Sequence, residues 1–118
     1  MARRIDDVVG RQALLDWRGG DRTRTTTATA VRWTLQHMAL RAPGGSVEVR
    51  VPPFGVAQCI AGPRHTRGTP PNVVETDAAT WLALVDGDLT WVGATGDGLI
   101  QASGGRADLS GVLPLHSL

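Results

Sequence analysis

The chain has 118 residues, with no lysine or tyrosine and only one cysteine and one phenylalanine. A single cysteine, Cys59, excludes an internal disulfide, so folding needs no oxidising compartment. No apolar run approaches the ~18 residues of a membrane-spanning helix, and the opening MARRIDDVVG lacks the apolar core of a signal peptide. These absences predict a cytoplasmic protein without stable membrane insertion. The 12 basic residues, all arginine, are offset by 11 acidic ones to a net charge of +1. Such a balance provides no overall field for nucleic acid, and no basic-aromatic platform is visible, so nucleic acid is not an expected partner. The exclusive use of arginine fits GC-rich codon usage.

Hydrophobic residues make up 42% of the chain and charged residues 19%, a composition and length suited to one globular domain, residues 1–118. Residues 5–17 place Ile5, Val8, Val9 and Leu15 at roughly helical spacing, with Asp6 and Asp7 at the start where negative charge suits a helix. A longer helix is predicted over 26–41, where Ala28, Val31, Leu35, Met38 and Ala42 recur every three or four residues before APGG stops it.

The period then changes to two. SVEVRV alternates Val47, Val49 and Val51 against Glu48 and Arg50, the pattern of a half-buried antiparallel strand. FGVAQCIAG fits a second strand joined by a hairpin at PPFG, with Val56, Gln58 and Ile60 on one side and Ala57 and Cys59 on the other. NVVET suits a third strand. Asp77 is a good N-cap for a helix carrying Ala78, Trp81, Leu82 and Val85 on one face and ending at Gly87. A further helical turn at DLTWVGATG, a last strand at LIQAS and an apolar tail complete the order. The expected fold class is α+β, a mostly antiparallel sheet of about four to five strands with helices packed on one face.

The segment from Asn72 to Leu115 resembles the sterol carrier protein type-2-like fold, at Asp77, Trp81, Leu82, Leu84, Gly87, Ala94, Leu109 and Leu113, and in the Gly-x-Ile-x-x-x-Gly run Gly98, Ile100, Gly104. The stretch SVEVRVPPFGVAQCIAGPRHTRGTPPNVVETD is similar to a group of small actinobacterial sterol carrier family proteins. Together the matches cover residues 46–115, and the two N-terminal helices suit the same group. The resemblance implies a binding fold for apolar ligands, with no reaction attached. Similar domains close the C-terminus of mycothiol-dependent maleylpyruvate isomerase-like proteins, whose metal sits in a separate N-terminal helical bundle that these 118 residues are too few to contain. That relationship implies an accessory or protein-interaction domain as the alternative.

Two sets of residues are candidate ligand contacts. In GPRHTRGTPP, Arg64, His65 and Arg67 could cradle a carboxylate or phosphate, or belong to a stiff surface loop pairing with Glu75 or Asp77. The indoles of Trp33, Trp81 and Trp91, with Leu84, could line a pocket between sheet and helices or simply fill the core. His37, His65 and His116 show no metal-ligand spacing, so neither a metal nor a cofactor is expected. Cys59 and His65 are the only tempting nucleophile and base, but Cys59 falls in an apolar strand. The glycines of GATGDGLIQASGG precede a strand and not a helix, which fails the order a nucleotide-binding turn requires. The expected protein is therefore not an enzyme. Its expected partner is a hydrophobic or amphipathic small molecule, with a protein partner or a homodimer left open.

Overall fold

The computed structural model describes residues 4–63, 72–115 and 118. Its elements run α1 (Asp7–Arg18), α2 (Arg24–Arg41), β1 (Val47–Val51), β2 (Gly55–Cys59), β3 (Val73–Glu75), α3 (Ala78–Asp86), α4 (Trp91–Gly96) and β4 (Gln101–Ser103). Local chemistry sets the boundaries. Thr23 caps α2 by accepting from the backbone N–H of Thr26, Asp77 caps α3 by accepting from Thr80, and Thr90 caps α4 by accepting from Gly93; each oxygen satisfies a donor that the first helical turn leaves unpaired. Gly87 ends α3 in the left-handed region, at φ 82, where a side chain would be strained.

The strand order is β2-β1-β3-β4. β1 pairs with β2, and β3 with β4, in antiparallel fashion, whereas β1 and β3 run parallel. The sheet is thus mixed, with four strands among the described residues. The parallel pair follows from a crossover between β2 and β3, whose far end is tied down by Asn72. The Asn72 amide donates to the Ser46 carbonyl at 2.7 Å and its Oδ1 accepts from the Arg106 backbone at 2.8 Å. At the near end Ile60 adopts φ 66, an unusual conformation for a β-branched residue. It is held there by its N–H bond to Ala42 and by Ser46, whose N–H and hydroxyl both donate to the Ile60 carbonyl.

Strand alternation puts Val47, Val49, Val51, Cys59 and Val74 on the buried face, against the helices. Glu48, Arg50, Gln58 and Glu75 fall on the opposite face. The predicted helix over 26–41 extends two residues further toward the N-terminus, and its apolar stripe is buried at Val31, Leu35 and Met38.

α1 lies on α2 through a close approach. Gly10 is buried there, and a Cβ added to it would fall 2.0 Å from Trp33 Cγ. Beside this contact Asp7 Oδ1 accepts from the Trp33 indole N–H at 3.1 Å and lies 3.3 Å from His37 Nε2. At the other end of α1, Arg18 Nε donates to Asp86 of α3 at 3.0 Å. The Trp33 hydrogen bond, followed by that of His37, holds the Asp7 carboxyl below its ordinary value. A depressed acid stabilises the fold above its unfolded-state pKa and loses that contribution as pH falls through the lower folded value. Asp7→Asn is therefore expected to lower the melting temperature at pH 7 and to reduce the difference from wild type below about pH 4. Thermal melts across that range check it; an unchanged difference would remove Asp7 from the anchoring of α1.

Candidate functional site

Of the sequence-predicted contacts, Arg64, His65 and Arg67 lie outside the described residues. Trp33 and Trp81 have no exposed surface and Leu84 is 1% exposed. Both indole N–H groups are satisfied, Trp33 by Asp7 and Trp81 by the Thr34 hydroxyl at 2.8 Å. A large side chain enclosed on all sides and hydrogen-bonded at its polar end is packing material. The structure brings Trp33, Trp81 and Leu84 together as solid core. Trp91 is half-buried, packed against this core and bordering a cleft of about 250 Å³ with Leu89, Val92, Leu113 and Pro114.

A larger opening lies elsewhere, in a groove of about 540 Å³ between α2 and the edge strand β2. α2 supplies Arg32, Leu35, Gln36, Ala39 and Leu40, and β2 supplies Gly55, Val56 and Ala57. The wall is completed by Arg4 and Ile5, which precede α1. The surface inside is predominantly apolar, and its apolar groups are unusually open: Leu40 is 55% and Val56 59% exposed. Water covering this surface would be released by an apolar occupant, which is the driving force for filling it.

Two arginines give the groove a polar margin. Arg32 Nε donates to the Phe54 carbonyl at 2.6 Å, which fixes the guanidinium beside the β1–β2 turn. Neither Arg32 nor Arg4 belongs to the ion pairs found among the described residues. Arg24 lies over the Phe54 ring, 5.9 Å from its centroid. An amphiphile with an anionic end would meet a guanidinium here while its apolar part lay on Leu35, Ala39 and Leu40.

Cys59 is fully buried, and burial pushes its thiol up to about 11, so it is protonated at neutral pH and not a nucleophile. Among the described residues, the groove lining carries no hydroxyl, thiol, imidazole or carboxyl group. No group of three or more histidine, cysteine, aspartate and glutamate side chains able to hold a metal occurs among the described residues. No helix there is long and apolar enough to cross a membrane.

The α+β arrangement agrees with the family comparison. Residues 23–115 match a family described as bacterial SCP ortholog. The chain belongs to this bacterial sterol carrier protein-like family. No curated protein matches it. The family match starts at Thr23, the N-cap of α2, so this sterol carrier protein-like chain builds most of its groove from matched residues. Arg4, Ile5 and α1 lie outside the match.

The α2–β2 groove was missed by sequence reasoning, although two residues signalled it. Leu40 falls off the Val31, Leu35 and Met38 stripe of α2, and Val56 shares the open side of β2 with Gln58. Both are apolar residues on faces that the period assigns to solvent.

Proposed function

We propose that the chain binds a hydrophobic or amphipathic small molecule, of lipid, acyl or sterol-like type, in the groove between α2 and β2 without converting it. The observation that carries this reading is the groove itself: about 540 Å³, mainly apolar, with Arg4 and Arg32 in its lining. That volume lies within the roughly 300–1,000 Å³ of small-molecule sites, and each methylene buried there is worth about 0.8 kcal/mol. Membership of a sterol carrier protein-like family supports the choice of ligand class.

Displacement of a fluorescent fatty acid from delipidated protein tests the reading. Leu40→Asp places a charge on the apolar wall and is expected to weaken binding at least tenfold, with little change in melting temperature because Leu40 is already half exposed. Arg32→Ala is expected to weaken an ionised fatty acid several-fold while leaving its methyl ester nearly unaffected. Equal affinities for Leu40→Asp and wild type would remove the ligand from this groove.

A docking role with a protein partner, or with a second copy, is the other reading. It is favoured by β2, Gly55–Cys59, which is an edge strand among the described residues and carries neither a charge nor a proline. Natural sheet edges are commonly protected by such residues against pairing with another strand. Light scattering of the delipidated protein at rising concentration distinguishes self-association from a monomer.

A further inference from the structure

Ile5 reaches the groove from a segment that the family match does not include, and it is fastened by an unusual clamp. Its backbone N–H donates to Gln36 Oε1 at 2.8 Å, and the Gln36 amide donates back to the Ile5 carbonyl at 3.0 Å. One side chain of α2 thus satisfies both backbone polar groups of Ile5. Gln36 and Ile5 both border the groove. The two hydrogen bonds span 31 positions of sequence and hold a branched apolar side chain beside the space that an occupant would use. Just beyond, Asp7 and Gly10 lock α1 onto Trp33, so the wall is anchored from behind as well.

We infer that Ile5, positioned by Gln36, is a specificity-determining wall of the groove, which sets how long or bulky an acyl chain it accepts. This rests on the groove being the ligand site. Ile5 is half-buried, and its side chain carries three carbons beyond Cβ. Shortening it to alanine leaves room for roughly three more methylenes of ligand, each worth about fourfold in affinity if fully buried. Gln36 acts through Ile5: without its amide the backbone of Ile5 loses both partners, and the wall is no longer fixed in place.

The test compares dodecanoic and hexadecanoic acids by calorimetric titration of wild type, Ile5→Ala and Gln36→Leu, with melting temperatures recorded alongside. Ile5→Ala is expected to raise the preference for hexadecanoic over dodecanoic acid by about fourfold or more. Gln36→Leu, similar in bulk but unable to pair with the Ile5 backbone, is expected to move the preference the same way. Gln36→Glu, which keeps the acceptor for the Ile5 N–H, should fall between Gln36→Leu and wild type. A purely structural role for the clamp would lower the melting temperature and weaken both acids equally; an unchanged ratio in Ile5→Ala and Gln36→Leu overturns the inference while leaving the groove as the ligand site. If wild type binds neither acid, the ligand reading and this inference fall together.

Discussion

Gly10→Ala is expected to destabilise the protein by about 2–3 kcal/mol, although alanine is the better helix former. In an exposed helix interior the exchange would be worth up to ~1 kcal/mol in favour of alanine. Here the added methyl would meet three atoms of the Trp33 indole at 2.0–2.3 Å. The ring cannot yield, because Trp33 is fully enclosed and tied to Asp7. Overpacking a closed site costs about 1–3 kcal/mol and sometimes more, which exceeds the propensity gain. Part of the response should be local, with α1 lifting from α2 and taking the Asp7 contacts with it. A melting temperature about 10 °C below wild type is expected for a domain of this size, with hydrogen exchange accelerated over α1 before the sheet. A variant as stable as wild type would mean that α1 is not seated as described.

Trp81→Ala should cost more, about 3–5 kcal/mol, in line with truncation of a large buried aromatic. Trp81 has no exposed surface, and its indole N–H is spent on Thr34 Oγ1, whose own proton is directed to the Ala30 or Val31 carbonyl inside α2. Removing the ring opens a cavity between α2 and α3 and breaks the tie between the two helices. Against a total stability of roughly 5–15 kcal/mol, chemical denaturation will show a large shift of midpoint. The milder Trp81→Phe separates packing from binding. It loses the hydrogen bond and some volume, but Trp81 does not border the α2–β2 groove, so fatty-acid affinity is expected to stay within about twofold of wild type. A large change in affinity would place the ligand against Trp81.

The contrast between these two tryptophans and the groove shows what the sequence made legible. Where period and burial agree, as in the Val47, Val49 and Val51 alternation, the Val31 to Met38 stripe and the Asp77 cap, the elements appear where the pattern places them. The parallel pairing of β1 with β3 was not legible, because strand order depends on the path of the crossover and not on alternation within a strand. Trp33, Trp81 and Leu84 fit either a lined pocket or a filled core on composition alone; only three-dimensional packing distinguishes them. Gly10 looked like an ordinary residue of a short helix, since nothing in its neighbourhood in sequence announces an indole 23 positions away. The groove was hidden for a related reason. Ile5, Leu40 and Val56 lie in three separate segments, and each looks like an isolated exposed apolar residue until the fold sets them side by side.

Arg4, Ile5 and α1 add to the matched region a groove wall and its anchor. Gln36 and Trp33, both on α2, are two of the points where that addition is attached. Ligand affinity is expected to respond to changes at Leu40, Val56 and Arg32, and far less to changes in the buried core that leave the fold intact.

Backbone amide chemical-shift mapping, with hexadecanoic acid titrated into the isotopically labelled, delipidated protein, tests the central claim most directly. The account predicts saturable shifts concentrated at Leu35, Gln36, Ala39, Leu40, Val56 and Ala57, with Ile5 among them. Shifts confined to the Trp91 and Leu113 cleft, or no saturable shifts at any concentration below micelle formation, would contradict it.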